Sequence, residues 1–413
     1  MRAVAAGGAG IVEQELRTWK EVKKGFTTFQ DGDVIFAKIT PCMENGKFAV
    51  AENLLGGRAA GSTEFHVMRP GPDLDARYLL YFLFTDEVRR GAKESMSGAV
   101  GQQRVPASYL AQLEIPLPSI ETQREIVANL DARFSRLDAG VAALKRAQAN
   151  LKRYRASVLK AACEGRLVPT EAELARQEGR SYESGPQLLE RILEERRTAW
   201  TGKGKYKEPT PPDTTNLPEV PEGWTLASFD QLTENHDGRR IPLKASDRDK
   251  RSGPYPYYGA SGIIDDIDDF LFDGEFLLIG EDGANLLARA TPIAYLATGK
   301  FWVNNHAHVV QSWAGIPLRY LANCLNAMDL TKYVTGSAQP KLTQFNMNQL
   351  PILLPPLAEQ ERIVAEVERR LSVADALEAT LSTNVVRSAR SRQVLLRSAF
   401  AEPAASREDA PHA

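Results

Sequence analysis

The sequence has 413 residues, which is too long for one ordinary domain and is typical of two or three. Its composition, with 43% hydrophobic and 25% charged residues, is that of a globular protein whose domains can each bury a core without metals or disulfides. The net charge of −2 excludes a strongly basic nucleic-acid-binding protein, although acidic surface elsewhere can balance one basic face.

Nothing in the sequence indicates an oxidising compartment or a membrane. The three cysteines, Cys42, Cys163 and Cys324, lie far apart and are expected to be reduced thiols. No run of about 18 apolar residues occurs, and residues 1–10 lack the pattern of a signal peptide. We therefore expect a cytoplasmic protein with no membrane partner.

The first half of the chain reads as a module followed by a helix. Residues 1–118 contain a strand pattern at 33–39 and a short helical pattern at 76–85, which indicates a mixed α and β module. A long helix is predicted at 119–163, opening after Pro118 with a serine and an acidic first turn. Residues 164–216 are predicted to be a linker with one short charged helix, because Pro, Lys and Thr dominate its second part.

The second half repeats this order. A second mixed module is predicted at 217–356, a second long helix at 357–402, and a disordered tail at 403–413. The strands and the helix predicted inside this module lie at 276–279, 291–295, 308–311 and 317–325. The fold class that we predict is therefore α+β, with two mixed α/β modules and two long helices.

One long unit is written twice in the sequence. D-G-D-V-I-F-A-K at 31–38 matches D-G-E-F-L-L-I-G at 273–280, and F-H-V at 65–67 falls on A-H-V at 307–309 with the same offset of 242 residues. Such a period is far too long for a solenoid and indicates two globular copies.

The clearest match has an offset of 237 residues. L-E-I-P-L-P-S-I-E-T-Q-R-E-I-V from Leu113 matches L-P-I-L-L-P-P-L-A-E-Q-E-R-I-V from Leu350. Each copy is an apolar, strand-like stretch that ends in prolines directly before a long helix. Because several blocks match in the same order, a chance resemblance between apolar runs is a poor explanation.

Both long helices carry an apolar seam at the heptad spacing that is typical of a coiled coil. In the first helix the seam consists of Val127, Leu130, Phe134, Leu137, Val141, Leu144, Leu151 and Val158. In the second helix it consists of Ile363, Val367, Leu371, Leu381 and Leu395. The internal repeat favours antiparallel packing of the two helices within one chain, and a coiled coil between two chains is the alternative.

No motif for catalysis, nucleotide binding or metal binding is found. The sequence contains no P-loop, no Asn-Pro-Pro-aromatic methyltransferase motif, no H-E-x-x-H and no G-x-S-x-G. His306 and His308 have the spacing of one strand face, where a metal is conceivable, but a hydrogen-bonding pair is the interpretation that we favour. We therefore expect a protein that is not an enzyme and needs no metal or cofactor.

Taken together, these motifs resemble the specificity subunits of type I restriction–modification systems over nearly the whole chain. The resemblance is carried by the paired proline-to-glutamine motif and by G-D-V-I-F-A-K-I-T-P-C-M-E-N-G-K-F-A from Gly32, P-E-G-W from Pro221 and V-N-N-H-A-H-V from Val303. It implies two target-recognition domains, each reading half of a split site in double-stranded DNA, with antiparallel helices as the spacer between them. It also implies two methyltransferase (modification) subunits on the helical region, restriction (motor-nuclease) subunits in the full complex, and no chemistry in this chain.

The chain departs from this pattern at one place. At the offset of 242 residues, the equivalent of Trp224 falls before residue 1. We therefore expect the first target-recognition domain to be N-terminally incomplete. Such a loss would weaken DNA reading by the first domain more than by the second.

DNA contacts are expected from side chains that offer two hydrogen-bonding groups to a base, or a charge to a phosphate. Gln102, Gln103 and Arg104 follow a glycine-containing loop in the first module, and Gln339 and Lys341 hold the same place in the second. The further candidates are Arg239, Arg240, Lys244, Tyr255, Tyr257, Asn304, Asn305, His306 and, as a phosphate contact, Lys38. The alternatives are a polar turn before a strand for the loops and a core-packed strand for the tyrosines.

Two other classes of function are weighed against this one. A coiled-coil scaffold that binds only proteins would fit the near-neutral charge, and a basic face on the modules would argue against it. A single-chain restriction enzyme would need the nucleotide and methyltransferase motifs that this sequence lacks.

Overall fold

The computed structural model describes residues 1–8, 10–99, 101–202, 204–213, 219–336 and 338–401. The chain forms two compact units, which are residues 1–147 with 380–413 and residues 148–379. Each long helix contributes a segment to both units. The tail expected at 403–413 lies outside the described residues.

The described residues of the first unit form five short strands and several helices. The strands are β1 Thr27–Gln30, β2 Val34–Ala37, β3 Phe48–Val50, β4 Arg58–Gly61 and β5 Phe65–Met68. The helices are α1 Trp19–Val22, α2 Ala76–Leu83, α3 Asp86–Glu94, α4 Ala107–Ala111 and the start of α5 Ile120–Cys163. Short 3₁₀ turns lie at Ala6–Gly8 and Leu55–Gly57.

The predicted strand at 33–39 is the centre of a three-stranded antiparallel sheet of order β3–β2–β5. All four residues of β2 are fully buried because both of its faces are covered. Val34 and Phe36 point into one core with residues of α2, while Ile35 and Ala37 point into another with Phe29 of β1. This is the two-sided burial that a continuous apolar run predicts.

The second unit is built around a six-stranded sheet of order β7–β12–β10–β11–β8–β9. Its strands are β6 Thr225–Ser228, β7 Thr233–Asn235, β8 Ser252–Gly259, β9 Gly262–Ile267, β10 Phe272–Gly280, β11 Ala294–Val303, β12 Ala307–Ser312 and β13 Pro351–Leu354. The β11–β8 pair is parallel, and the other neighbours in the sheet are antiparallel. Strands β6 and β13 form a separate antiparallel pair.

The helices of the second unit include two that the sequence placed in a linker. They are α6 Glu171–Glu178, α7 Gly185–Thr198, α8 Phe229–Leu232, α9 Ala245–Arg248, α10 Asn285–Ala288, α11 Leu318–Ala327, α12 Gln344–Asn348 and the start of α13 Leu357–Ala401. A 3₁₀ turn lies at Asp237–Arg239. None of the helices in the described part of the chain has the length and hydrophobicity needed to cross a bilayer.

The short charged helix predicted within 164–216 is α7, and α6 is a second helix that the sequence pattern did not predict. Leu188 and Ile192, one turn apart on α7, are fully buried in the core of the second unit. Glu171 at the start of α6 is also buried and pairs with Arg362 of α13 at 2.7 Å. The sequence pattern of α7 is dominated by its charged outer face, so this narrow apolar stripe does not stand out in the sequence.

The described residues in the Pro-, Lys- and Thr-rich second part of the predicted linker are also held in place. Thr210 donates its backbone N–H to the Asp230 carboxylate at 2.7 Å, and its carbonyl accepts from the Ser228 hydroxyl at 2.5 Å. Lys332 forms a 2.9 Å ion pair with Asp213.

Strand β11 begins at Ala294 and ends at Val303, so it shares only two residues with the strand predicted at 291–295 and continues through polar residues. Thr298 and Lys300 lie opposite Glu275 and Asp273 of β10. The opposite charges of Lys300 and Asp273, together with the pairing of β11 with β10, extend the strand where apolar patterning ends.

Inside each unit, the two long helices pack against each other. In the first unit Arg392 binds Asp138 at 2.6 and 2.8 Å and lies over the Phe134 ring. In the second unit Arg155 binds Asp375 and Glu378. Since Arg155 and Arg392 are equivalent in the repeat, as are Asp138 and Asp375, the same interhelical contact is made twice.

The seam is tightly packed at its module ends and looser between them. The fully buried seam residues are Val127, Leu130, Phe134, Val158, Ile363 and Val367. The half-buried seam residues are Leu137, Val141, Leu144, Leu151, Leu371, Leu381 and Leu395. In the first unit Leu137 and Val141 border a cavity of about 670 Å³ together with Ser388 and Ala389, whose small side chains leave this space.

Candidate nucleic-acid interface

The first module presents a loop that is closed by its own backbone. Ser97 and Arg104 exchange two backbone hydrogen bonds, of 3.1 and 2.9 Å, at the ends of residues 97–104, which we call loop 1. Gly98 and Gly101 within it have φ values of 120° and 81°. Such angles strain residues with a Cβ atom, so these glycines permit the tight path.

The second module presents an equivalent loop. Thr335 and Lys341 exchange backbone hydrogen bonds of 2.9 and 2.8 Å at the ends of residues 335–341, which we call loop 2. Gly336 has a φ of 83°. The repeat that aligned Arg104 with Lys341 in sequence therefore aligns two loops of the same construction.

Both loops display an exposed glutamine beside a basic residue. Gln102 in loop 1 and Gln339 in loop 2 are exposed, and Gln103 is half-buried. The side chains of Arg104 and Lys341 are 42% and 48% exposed. These are the groups that can hydrogen-bond the major-groove edges of adenine and guanine.

A histidine holds the C-terminal end of each loop. His66 of β5 places Nε2 at 2.8 Å from the carbonyl oxygen of Val105, and His308 of β12 places Nε2 at 2.9 Å from that of Leu342. Val105 and Leu342 are buried and directly follow the basic residue of their loops. Neither histidine was among the predicted site residues, although F-H-V and A-H-V were matched in the repeat.

A glutamate neutralises the basic residue of each loop. Arg104 donates to Glu64 from Nε at 2.9 Å and from Nη2 at 2.8 Å. The hydrogen bond from Arg104 lowers the pKa of Glu64 below its usual value, against a smaller effect of burial. Lys341 pairs with Glu281 at 3.0 Å.

Glu281 also anchors an ion-pair network in the second module. Arg240 donates to it at 2.7 Å, and His308 places Nδ1 at 2.6 Å from Asp237. Burial by itself would raise the pKa of Glu281, but the hydrogen bond from Arg240 and the charge of His308 lower it overall. Burial would also raise the pKa of Asp237, but the hydrogen bond and the charge of His308 outweigh burial and lower this pKa.

Asp237, Glu281 and His308 bring ligand-type atoms within 4.8 Å of one another, which is the only such group of three among the described residues. Both ring nitrogens of His308 already face oxygen partners. Both oxygens of Glu281 are paired, with Arg240 and with Lys341. We interpret the group as an ion-pair network, since a metal would have to break these bonds.

The structure brings three of the candidate groups together around Glu281 and Asp282. Lys341 comes from loop 2, Arg240 follows the 3₁₀ turn after β7, and His306 places Nδ1 at 2.8 Å from Asp282. The loop is held there by a backbone hydrogen bond of 2.9 Å from Gly283 to the carbonyl of Pro340.

Two predicted contact residues are buried, so the structure corrects them. The Tyr257 side chain is fully buried, and its hydroxyl accepts the Leu243 N–H at 2.9 Å. Asn304 is 5% exposed, and its side-chain oxygen accepts the His306 N–H at 2.8 Å. Tyr257 therefore packs in the core, as the alternative reading of the tyrosine stretch stated, and Asn304 supports the turn that presents its neighbours.

The other candidates remain at the surface in varied surroundings. Asn305, His306, Arg239 and Lys244 are exposed, while Lys38 and Tyr255 are half-buried. Arg239 lies over the Phe272 ring at 4.6 Å, and Tyr255 packs on Phe270 at 5.2 Å. Arg240 is only 13% exposed, and its ion pairs make it a support for the cluster in this structure.

Comparison with known proteins finds similarity to specificity subunits of type I restriction enzymes. A family model described as the type I restriction modification DNA specificity domain matches residues 8–148 and 221–385. The EcoEI specificity subunit of a type I restriction enzyme from Escherichia coli is 26% identical over 91% of this chain and 73% of its own length. The EcoAI specificity subunit from Escherichia coli is 30% identical over 52% of this chain and 43% of its own length.

Two solved structures share the fold. A chain from a study of complex assembly and conformational transition in the type I R-M system matches with a TM-score of 0.70 and 16% identity, over 97% of this chain and 89% of that one. The HsdS subunit from Thermoanaerobacter tengcongensis matches with a TM-score of 0.57 and 17% identity, over 97% and 89% of the two chains.

Proposed function

We propose the following function for this chain, which belongs to the type I restriction modification DNA specificity family. It is the specificity subunit of such a system, and its role is to recognise a DNA sequence. We propose further that the target is split, with one half read by residues 1–118 and the other by residues 217–356. The helices at 119–163 and 357–402 would set the spacing between the halves.

The observation that carries this proposal is the pair of matched loops. Loop 1 and loop 2 are closed by the same two backbone hydrogen bonds, and each displays an exposed glutamine two residues before a basic residue. A glutamine can pair with the adenine edge through two hydrogen bonds, and arginine or lysine can bind guanine or a phosphate. Two equivalent readers in one chain are what a split target requires.

The remaining contacts are proposed around these loops. Asn305 and His306 lie beside loop 2, and Gln103 lies within loop 1. Lys38, Arg239, Lys244 and Tyr255 are proposed as phosphate or stacking contacts, because three of them carry a cation and Tyr255 offers an aromatic face.

The proposed partners are methyltransferase subunits on the helical region, two of them, and restriction subunits in the cutting complex. The chain itself is proposed to be non-catalytic and to act on DNA in the cytoplasm. The proposal of partner subunits is supported by the relatives named as specificity subunits of type I restriction enzymes, since a subunit implies a complex.

The test is methylation mapping with the chain assembled with methyltransferase subunits. Replacing Gln102 and Arg104 by Ala should relax one half of the target, and replacing Gln339 and Lys341 by Ala should relax the other. Loss of one bidentate base contact corresponds to about 5- to 160-fold weaker discrimination. Each double variant is the control for the other.

Two results would refute the proposal. A wild-type complex without sequence preference at low salt would favour the protein scaffold instead. Loss of methyltransferase assembly in the loop variants would show that the loops contact protein and not DNA. Specific binding should also weaken steeply as salt rises, since phosphate contacts release counterions.

A further inference from the structure

We propose that His66 and His308 are matched positioning residues, each of which fixes the DNA-reading loop of its own module. The inference rests on the proposed function, because it takes loop 1 and loop 2 as the readers. Neither histidine is assigned to DNA contact. Each acts through the loop that it holds.

The two histidines occupy one position of the internal repeat and bind one equivalent atom. His66 lies in β5 and His308 in β12, 242 residues apart. Their acceptors, the carbonyl oxygens of Val105 and Leu342, are 237 residues apart, in the register of the loops themselves. The same histidine-to-carbonyl contact is present in both copies, although the residue that supplies the carbonyl differs. We therefore treat it as a shared feature of the module.

A carbonyl oxygen can only accept a hydrogen bond, so Nε2 must carry the proton in both rings. The N–H groups of the same two acceptor residues are also bound. Val105 donates to the carbonyl of Lys38 at 2.9 Å, and Leu342 donates to that of Glu281 at 2.8 Å. Each loop is therefore followed by a residue whose N–H is bound by the residue after β2 or β10 and whose C=O is bound by a histidine of β5 or β12.

The residue that is bound at both its N–H and its C=O, Val105 or Leu342, lies one residue after the basic residue of the loop and three residues after the exposed glutamine. Base recognition tolerates an error of only about 0.5 Å in side-chain position. The glycines that let each loop turn tightly also give it freedom, so its anchor must come from outside the loop. The histidine adds to the backbone hydrogen bonds that hold each loop from outside, from Thr40 to the carbonyl of Gln103 at 3.0 Å and from Gly283 to that of Pro340 at 2.9 Å. Its loss leaves a buried carbonyl without this partner.

The two modules differ in what else the histidine binds. His308 also pairs through Nδ1 with Asp237 at 2.6 Å, and Nδ1 lies 3.8 Å from Glu281, the partner of Lys341. A glutamine places an N–H donor near the Nε2 position but offers nothing at Nδ1. Glutamine should therefore replace His66 well and His308 poorly.

The experiment uses the full chain in complex with methyltransferase subunits. Methylation rates are measured on the mapped target and on DNA altered in one half at a time, for His66→Ala, His308→Ala, His66→Gln and His308→Gln. Each alanine variant should lose discrimination at one half only, by about tenfold for the loss of one buried hydrogen bond. His66→Gln should recover the wild-type value, whereas His308→Gln should not.

His236→Ala is the matched control. His236 lies in the same module as His308 and packs edge-on against Phe276, with a ring-centroid distance of 5.5 Å. Thermal unfolding and assembly with the methyltransferase are measured for all variants. A role in general stability would move these two readouts and would affect His236→Ala in the same way.

Each outcome bears on the inference separately from the proposed function. If the wild-type complex reads no split target, the proposed function itself fails. If the wild type reads a split target but both alanine variants discriminate normally, or lose both halves equally, the positioning role is refuted. Should the alanine variants fail to fold, equal behaviour of the two glutamine variants would overturn it.

Discussion

A buried glutamine side chain begins each long helix, and only one of the two is fully hydrogen-bonded. Gln123 donates to the carbonyl of Pro118 at 2.9 Å and accepts the N–H of Asp75 at 2.9 Å. Its equivalent, Gln360, donates to the carbonyl of Pro355 at 2.9 Å, but its side-chain oxygen is buried without a partner in the described structure. The position equivalent to Asp75 is Pro317, which has no N–H to donate.

The surrounding contacts establish that these positions are equivalent. The Tyr78 hydroxyl donates to the carbonyl of Pro116 at 3.0 Å, and that of Tyr320 donates to the carbonyl of Leu353 at 2.6 Å. One residue earlier in each helix, an arginine forms the same ion pair with a long helix. The pairs are Arg77–Asp131 at 2.8 Å and Arg319–Glu368 at 2.9 Å.

We predict that Pro317→Asp stabilises the second unit. Pro317 has φ −61° and ψ 120°, close to the φ −70° and ψ 132° of Asp75, so an aspartate fits without strain. The new N–H would satisfy the Gln360 oxygen, which relieves about 1–3 kcal/mol. The carboxylate would cap α11 as Asp75 caps α2, for about 1 kcal/mol more. Loss of the proline costs about 0.4–1 kcal/mol through the unfolded state, so the net gain is about 1–3 kcal/mol.

The assay is urea unfolding combined with hydrogen exchange of the amides in α11. Pro317→Ala restores the N–H without the cap and separates the two contributions. Asp75→Pro makes the opposite change in the first unit and should destabilise it. If Pro317→Asp leaves the protection of α11 unchanged or lowers it, the assignment of the orphaned oxygen to the missing N–H is refuted.

Three further predictions concern the helix seam and the ion pairs. Phe134→Ala should destabilise the first unit by about 3–5 kcal/mol, measured by urea unfolding, because this ring is buried between α5 and its neighbours. Arg392→Ala should cost no more than about 1 kcal/mol in the same measurement, since its partner Asp138 is 65% exposed. Glu281 and Asp237 have lowered pKa values, so they stabilise the fold above the unfolded values of 4.5 and 3.8, and this stabilisation is lost as the pH falls below them. The protection factors of the loop 2 amides, which are corrected for the intrinsic pH dependence of exchange, should therefore fall between pH 5 and about pH 3 in the wild type and depend less on pH in Glu281→Gln; an identical profile of protection factors in the two proteins would contradict this.

Much of the architecture follows from local sequence patterns. The apolar run of β2, the heptads of α5 and the prolines before each long helix all have a local physical cause. The glutamine of the paired motif is one example, because Gln123 and Gln360 bind a proline carbonyl five residues earlier in the chain. Such a short-range contact leaves a fixed spacing that sequence comparison within one chain can detect.

The errors came from side chains whose partners lie far away in the chain. Tyr257 has the residue type of a DNA contact, but the fold buries it. Arg240 stays a predicted contact, although Glu281, 41 residues away, binds it as it also binds Lys341. The pattern of α7 predicts a charged helix within a linker and not its burial in the core of the second unit, because its charged face outweighs the apolar stripe at Leu188 and Ile192. Burial of a stripe depends on a surface elsewhere in the fold to receive it.

The sequence by itself determined that the chain holds two copies of one module, each leading into a long helix, and it placed the two candidate loops at equivalent positions. Hydrophobic periodicity, proline and the repeat are sufficient for this because they act over short stretches of chain. Only the tertiary structure decided which polar side chains are free and which are paired. Ion pairs such as Lys341 with Glu281, and the histidines that hold the loops, depend on strand register and on the ends of distant strands meeting. The orphaned oxygen of Gln360 likewise became visible only when the two copies could be compared atom by atom.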